Sequence, residues 1–408
     1  MPAFNQAKYR NTINLVKYIM KCTKILLTYL FALILVTILF NPHPVTAQNG
    51  TSFTTDTGWD LNVNGALPVF TVLSSHENFS SDGQDQFATR VMSGFNPANV
   101  TFTVDAPTQN GLDVSAIFQI NHHLHGPGVQ NSGLFEGRIA EIQISGSFGT
   151  INAGKGFGVF NSSSIGDEGS GMGVGRFAGP DAADATLGRI GSGYTYANFN
   201  PRIIYTTPNL NGFTLKGGLF NPEKPGGANS GIETPSPRLE AQVDYRRDLG
   251  IGSLQVWAGG LHQQVDVLED DFTYNFSGWD TGAQFTIAGL TLTGSYSETN
   301  SIGADGLIGI NISGGDPLDQ ADVDGTQWYT EATYKTGRFL LGASYGEGSQ
   351  DSITTDVGSS NEVTNKLLMG FARYSVTDIL TLMAEVQTFE SESQANYSAL
   401  ILGTQITF

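Results

Sequence analysis

Three histidines, His122, His123 and His125, have a type and spacing that could serve chemistry, because imidazole nitrogens are common zinc ligands. They directly follow a stretch, 111–121, that reads as a β-strand, and so they fall at the start of a loop. The sequence therefore predicts that these side chains are solvated, with no metal site and no cofactor.

Serine-hydrolase chemistry would need a nucleophilic serine, a histidine base and an orienting third group in a recognisable setting. Five histidines lie beyond residue 47, at positions 76, 122, 123, 125 and 262, and none has such a setting. The glycine-rich run Gly154-Lys155-Gly156-Phe157-Gly158 lacks the phosphate-binding Walker pattern. We therefore predict no enzymatic activity.

A glycine-rich stretch, about residues 161–187, concentrates charged side chains. It carries four acids and one base: Asp167, Glu168, Asp181, Asp184 and Arg176. A loop of this length inside a compact structure is usually either functional or disordered. The stretch is therefore the leading candidate for a functional segment, and the secondary-structure elements on either side of it would determine its position.

Residues 1–47 read as a cleaved secretory signal peptide. Lys21 and Lys24 precede an apolar run, 25–40, and Val45-Thr46-Ala47 is a small-residue cleavage site. The alternative, a membrane anchor, needs about 20 apolar residues and normally lacks such a site. Met20 is a more natural initiator than Met1. We therefore predict a mature chain of residues 48–408.

The mature chain is strongly acidic. Segment 1–47 carries five of the 20 basic residues and none of the 38 acidic ones, so its removal changes the net charge from −18 to −23. Such a charge argues against nucleic acid as a partner. The single cysteine, Cys22, lies in the same segment, so the stability of the mature chain must come from backbone pairing or burial rather than disulfides.

From about Trp59 onward, strands of about ten residues alternate with very short turns and longer polar loops. In one such strand Leu239 and Val243 alternate with Glu240 and Gln242, which gives one apolar and one polar face. In 135–147 and 365–374 neither face is clearly apolar. The pattern predicts sixteen strands, near residues 59–73, 98–105, 111–121, 135–147, 149–157, 200–207, 212–220, 238–247, 252–264, 276–286, 290–298, 326–335, 338–346, 365–374, 379–389 and 397–408.

This alternation fits two architectures, because a soluble sandwich or barrel buries its apolar faces whereas an outer-membrane barrel turns them toward lipid. The signal peptide, the even strand number and the aromatic residues near strand ends favour the second. We therefore predict an all-β fold, a sixteen-stranded antiparallel transmembrane β-barrel. Because no strand edge can stay unpaired in lipid, the C-terminal strand must pair with the first one.

Residues 134–160, LFEGRIAEIQISGSFGTINAGKGFGVF, resemble a segment of the trimeric general porins of Gram-negative bacteria. That segment runs Leu-Phe-x-Arg, a strand, Gly-x-Phe-Gly, a second strand and Gly-Arg or Gly-Lys, followed by a long third loop. The order of further short matches extends the resemblance over essentially the whole mature chain: Gly188-Arg189, residues 204–208, Asn211-Gly212-Phe213 and the terminal Phe408. The resemblance implies a homotrimer, with Phe408 as the signal for the barrel-assembly machinery.

The resemblance also implies that the third loop, about residues 161–187, folds inward and constricts a water-filled pore. Acids of this loop would face basic side chains on the wall, with Asp181 the best matched acid and Asp167, Glu168 and Asp184 beside it. Arg138 and Arg189 match wall arginines of the family, and Arg202 and Lys216 have lumen-facing parity. Arg176 stands where the family pattern has glutamate, which puts the charge layout and the selectivity of the pore in question.

The sequence thus predicts an outer-membrane general diffusion porin for small hydrophilic solutes and ions, with a weak cation preference from its negative charge. Two alternatives stay open: a structural or adhesive barrel, because 300–325 and 347–364 are long and polar, and a substrate-selective porin. Outer-membrane lipid and lipopolysaccharide are the expected surroundings. Acidic runs at 269–271 and 316–324 could hold divalent cations beside lipopolysaccharide.

Overall fold

A computed structural model of the chain describes residues 50–79, 83–124, 135–177, 186–224, 231–268, 271–302, 323–351, 354–355, 358–359 and 362–408. The predicted signal peptide, His125, Asp181, Asp184 and the acidic runs Glu269-Asp270 and 316–322 lie outside these residues. Among the described residues, no helix has the length and apolar character needed to span a bilayer.

The chain forms a closed, antiparallel barrel whose wall has sixteen strands, as the sequence predicts. The strands are β1 Asp60–His76, β2 in two parts (β2a Gln86–Met92 and β2b Ala98–Asp105), β3 Asp113–His122, β4 Phe135–Gly146, β5 Gly149–Phe157, β6 Phe199–Thr206, β7 Phe213–Phe220, β8 Arg238–Asp248, β9 Gly252–Val267, β10 Phe272–Ile287, β11 Leu290–Asn300, β12 Asp324–Thr336, β13 Phe339–Gln350, β14 Val363–Ser375, β15 Leu380–Ser391 and β16 Tyr397–Thr407. Each strand pairs with its neighbours in sequence, which is the simplest topology for a meander.

The barrel closes where β16 meets β1. Their register runs from Ala66 opposite Thr407 to His76 opposite Tyr397. Beyond the last strand, Phe408 N donates to Gly65 O at 3.0 Å and Gly65 N donates to Phe408 O at 2.8 Å. The prediction that the C-terminal strand pairs with the first strand is confirmed. Backbone pairing continues to the last residue, which explains why an apolar stripe can extend to the end of the chain.

Side chains alternate across the wall as a lipid-facing barrel requires. On β8, Leu239 and Val243 are exposed on the outer face, whereas Glu240 and Gln242 are buried on the inner face. Aromatic pairs form two rows on the outside: Trp279–Tyr296 and Trp328–Tyr345 toward the long loops, and Phe213–Tyr245 and Phe339–Tyr374 beside the short turns. These rows match the interfacial girdles of membrane barrels.

The second wall strand is interrupted, which the sequence pattern did not predict. Both parts pair with β1, but residues 93–97 between them leave the wall. Pro97 ends the break because proline has no N–H for a strand ladder. Within it Phe95 N donates to Gly173 O at 2.9 Å, and Thr186 N donates to Gly94 O at 3.2 Å. The break therefore turns the backbone inward, toward the segment that connects β5 to β6.

Candidate channel constriction

The segment between β5 and β6, residues 158–198, is called the inner loop, and its described parts lie inside the barrel. Its described parts are 158–177 and 186–198, with one 3₁₀ turn, Ser164–Gly166, and one short helix, α1, Glu168–Gly171. Gly166 and Glu168 are the exposed residues in these parts. The inner loop corresponds to the predicted constriction stretch, and it packs against the inner face of the barrel from β8 to β16.

Four buried wall carboxylates accept backbone N–H groups of the inner loop. They lie on β8, β10, β12 and β15. Glu240 accepts from Val159 N and Phe160 N at 2.7 and 3.0 Å, and Asp280 accepts from Asn161 N at 3.2 Å. Glu331 accepts from Glu168 N and Gly169 N at 2.7 and 2.9 Å, and Glu385 accepts from Val174 N at 3.2 Å. Since bonds to charged acceptors are the stronger ones, these carboxylates fix the path of the loop.

An apolar patch on the inner wall supports the end of the first described part of the inner loop. Val174 and Phe177 of the loop join inward side chains of β14, β15, β16 and β1 in one buried cluster, which includes Phe70, Leu367, Met369, Phe389 and Ile401. Phe177 stacks on Tyr397 with ring centroids 4.3 Å apart, and Phe177 N donates to the Tyr397 hydroxyl at 3.1 Å. The loop is thus held by apolar burial as well as by hydrogen bonds.

Asp167 and Arg189 form an ion pair in the core of the inner loop. Arg189 Nε lies 3.5 Å from Asp167 Oδ2, and neither side chain is accessible to solvent. Asp167 also accepts from Ser170 N at 2.9 Å and from the Tyr194 hydroxyl at 3.1 Å. Burial raises the pKa of the Tyr194 hydroxyl well above its usual value, which keeps it a neutral donor. Asp167 therefore caps α1 and ties the two described parts of the loop together.

The structure corrects the expected role of Arg189. It lies within the inner loop, not on the wall, and its guanidinium donates to Leu367 O at 3.2 Å and to the Ser344 hydroxyl. Arg176 also lies in the loop, as expected, but it is buried. Its Nη1 donates to Ile190 O at 2.9 Å, and its guanidinium lies over the ring of Phe389 at 5.0 Å. Neither arginine is exposed to the lumen.

Glu168 is the acid of the described inner loop that reaches solvent, with 45% of its side chain exposed. Its carboxylate pairs with Arg373 of β14, with Arg373 Nη1 2.5 Å from Glu168 Oε2. Asp181 and Asp184, expected beside it, lie outside the described residues. The structure therefore brings one of the two described acids to water and places the other in the loop core.

Two of the expected basic wall residues, Arg202 and Arg138, pair with acids. On the inner face Arg202 of β6 pairs with Glu141 of β4, with Nη1 2.6 Å from Oε2. Lys216 of β7 lies in the field of Asp244, Arg202 and Arg246. Arg138, near the start of β4 beside a register shift, pairs with Glu136 at 2.9 Å and lies over the ring of Phe199. Pairing with acids reduces the net positive charge of this wall.

Arg238, a further base with inward parity, is fully buried at the start of β8. Its Nε donates to Glu240 Oε1 at 2.8 Å, and its Nη1 lies 3.3 Å from Glu223 Oε1. Burial raises the pKa of the Glu223 carboxyl, which lies in the loop after β7, and the positive charge of Arg238 opposes the shift. This arginine orients the carboxylate that anchors the start of the inner loop.

Inward side chains are unequally buried around the barrel. On β12, β14 and β15 they are buried beneath the inner loop, as for Glu331, Met369 and Gln387. On β4, β5 and β7 they stay partly accessible, as for Gln143, Asn152 and Lys216. The loop therefore covers one side of the inner wall and leaves polar side chains of the other side accessible.

A model of the Gram-negative porins matches residues 40–394 of the chain. The chain belongs to this family. No curated protein sequence matches this porin significantly.

Among solved structures, the outer-membrane channel DcaP of Acinetobacter baumannii has a TM-score of 0.63 at 15% identity, over 88% of this porin and 100% of the other chain. The anion-selective porin of Comamonas acidovorans has a TM-score of 0.60 at 14% identity, over 86% and 100%. Salmonella typhi OmpF, in a complex with daunomycin, has a TM-score of 0.58 at 12% identity, over 87% and 100%. At these identities the likeness concerns the fold.

Several residues that hold the inner loop of this porin were not among the expected site residues. Glu331, Glu385 and Arg373 lie on the wall against which the loop packs, more than 150 residues away in sequence. Their inward parity on predicted strands was the available signal, and it marks Glu331 and Glu385 as members of the polar face. Parity cannot distinguish a residue that meets water from one that meets the loop.

Proposed function

We propose that this porin is an outer-membrane diffusion channel through which small hydrophilic solutes and ions pass passively. The unequal burial of the inward side chains carries the proposal. The inner loop is fixed against β8–β16, whereas polar side chains of β3–β5 and β7 stay accessible, as an open lumen beside a loop requires. The narrowest point of such a lumen decides which solutes pass.

Glu168 is the accessible acid on the loop side of the proposed constriction. On the wall, Lys216 of β7 is partly accessible, whereas Arg202 of β6 pairs with Glu141 and has only 8% of its side chain accessible. Asp181 and Asp184 belong to the loop in sequence and are proposed as further acids on its side. With the net negative charge of the mature chain, this arrangement favours a weak cation preference. We assign no enzymatic role to the barrel.

The assembly follows the family resemblance. We propose a homotrimer in the outer membrane, delivered by a cleaved signal peptide, residues 1–47, and inserted by the barrel-assembly machinery through the terminal Phe408. The trimeric form of OmpT from Vibrio cholerae supports this assembly, since it shares the fold with a TM-score of 0.54 at 14% identity. The outer surface would contact lipid and lipopolysaccharide.

The test is single-channel conductance of the purified mature protein, residues 48–408, in planar bilayers with a KCl gradient. Conductance in discrete steps grouped in threes, with a cation-signed reversal potential, is the expected result. Steps with an anion-signed potential would retain the channel and contradict the cation preference. A silent bilayer, with the barrel shown to be folded by its resistance to unfolding in detergent at room temperature, would refute the channel.

A structural or adhesive barrel is the second candidate. The connections 301–323 and 351–362 are much longer than the turns at the other end of the barrel, and this length favours such a role. Such a barrel would give no conductance. A substrate-selective porin would conduct ions, but liposomes containing it would take up neutral solutes of equal size at different rates.

A further inference from the structure

The position of Glu168 makes its charge unusual within the inner loop. Asp167, the neighbouring acid, is inaccessible and paired with Arg189. Arg176 and Arg189 are inaccessible as well. Of the charged side chains in the described parts of the loop, Glu168 is therefore the one in contact with solvent. Among these charges, it is the one that can interact directly with an ion in the lumen.

Arg373 holds Glu168 from the wall. Its Nη1 binds Glu168 Oε2 at 2.5 Å, while its Nη2 donates to the backbone oxygen of Glu168 and, at 3.3 Å, to that of Gly169. The guanidinium lies 5.3 Å from the ring centre of Phe371 on the same strand. A planar guanidinium is suited to several simultaneous bonds of this kind, and they fix both the carboxylate and the first turn of α1.

Arg373 is itself screened from the lumen, because only 6% of its side chain is accessible. Its effect on a solute must therefore act through Glu168. An acid in contact with a base presents a dipole to the lumen, whose field falls faster with distance than the field of a lone charge. The same acid without its partner would act as a full negative charge.

We infer that Arg373 is a positioning residue that sets the ion selectivity of this porin by holding and largely neutralising the exposed acid Glu168. This rests on the proposed channel function. The proposal assigns a selectivity role to a buried residue of β14, on the same side of the lumen as the inner loop, and not to a base facing the loop from across the lumen.

The test compares the potassium-to-chloride permeability ratio of three variants with that of the wild type. Arg373→Gln leaves an uncompensated negative charge and should raise the ratio by about two-fold or more, the effect of a unit charge about one Debye length from the ion path in water. Glu168→Gln leaves a positive charge and should lower the ratio by a similar factor. The double variant restores charge balance and should return toward the wild-type ratio.

Opposite changes of the permeability ratio in the two single variants distinguish this role from a purely structural one. If Arg373 only holds the loop in place, both single variants should change the conductance in the same way, and the double variant should resemble either one. Arg373→Lys keeps the charge without the planar fork, so its ratio should stay near that of the wild type even if the loop moves. This variant keeps the test decisive should Arg373→Gln fold poorly.

Lys366→Gln is the matched control, because Lys366 lies on the same strand with the parity of the exposed Leu368, on the outer face. It removes the same charge away from the lumen and should leave the permeability ratio unchanged. If the Arg373 and Glu168 variants conduct but keep the wild-type permeability ratio, the inference is wrong while the proposed channel function stands. A folded wild type that does not conduct would instead refute the proposed function.

Discussion

Replacing Glu331 by glutamine should release the first turn of α1 from the wall of the barrel. Both oxygens of the Glu331 carboxylate accept backbone bonds, from Glu168 N at 2.7 Å and from Gly169 N at 2.9 Å. A glutamine of the same size keeps one acceptor oxygen and presents an NH₂ group to the other backbone N–H. Two donors then face each other inside a buried site.

The magnitude follows from the strength of bonds to a charged acceptor, about 1.5–3 kcal/mol each. The substitution loses one such bond, weakens the other to a neutral one and leaves a buried N–H unpaired, so the docking of α1 should weaken by about 2–4 kcal/mol. Since a factor of ten corresponds to about 1.4 kcal/mol, the local opening of this turn should increase roughly 30- to 1000-fold.

Hydrogen–deuterium exchange of the peptide that contains residues 168–171 measures this opening, because the protection of the two amides reports the free energy of local release. Glu298→Gln is the matched control. Glu298 also accepts two bonds, from Trp279 Nε1 at 3.1 Å and the Tyr296 hydroxyl at 2.5 Å, but on the outer face. It should leave the exchange of the loop unchanged. Unaltered protection in Glu331→Gln would refute the claim that wall carboxylates fix the loop.

Three further substitutions probe the loop core, the lipid face and the closure of the barrel. Arg189→Met leaves the buried carboxylate of Asp167 without its cation, so the loop should lose about 3–5 kcal/mol of docking free energy. Protease cleavage within the loop should rise accordingly, and adding Asp167→Asn should reverse it. Leu402→Arg places a charge on the exposed outer face of β16 and should cost about 2–4 kcal/mol of unfolding free energy in vesicles if the site is near the bilayer centre, as urea titration would show; an unchanged midpoint would contradict a lipid-facing wall. Phe408→Ala keeps the backbone bonds to Gly65, so in cells it should reduce the amount of assembled barrel while barely changing the stability of the purified protein. A marked loss of stability in the purified protein would instead explain the lower amount in cells and would count against an assembly signal.

The wall of the barrel could be predicted from sequence because its physics is local. Each strand alternates with a period of two, and short turns carry their own signals. Ala288 and Gly289 both have positive φ, +48° and +87°, as a tight two-residue hairpin with the twist of its strands requires. Such features depend on residues within one hairpin, so the strand number needed no knowledge of the whole fold. The pairing of β16 with β1 was predicted by a different argument, because no strand edge can stay unpaired in lipid.

Besides 135–147, two stretches were hard to recognise as strands, because the inner loop and not water is the partner of their inward side. On β14 the inward residues Leu367 and Met369 are apolar because they pack beneath Val174 and Phe177, so both faces of the strand are partly apolar. The stretch Gln86–Met92 was not predicted as a strand, because the break that follows it leaves the wall and contacts the inner loop. Periodicity reports burial, but it cannot tell lipid from protein.

The charges of the inner loop show where local reasoning ends. Asp167, Glu168, Arg176 and Arg189 are all charged residues in the sequence, yet their exposure depends on partners within the loop and on partners that the register of the barrel brings from β12 to β15. A buried charge is costly unless it is paired, so a loop that must stay folded inside the lumen uses charges to hold itself there. Charges that are paired in this way are buried and no longer act on a solute in the lumen. The net charge of −23 therefore describes the proposed mature chain as a whole, whereas we expect selectivity to depend on the few side chains left accessible after the loop has been anchored.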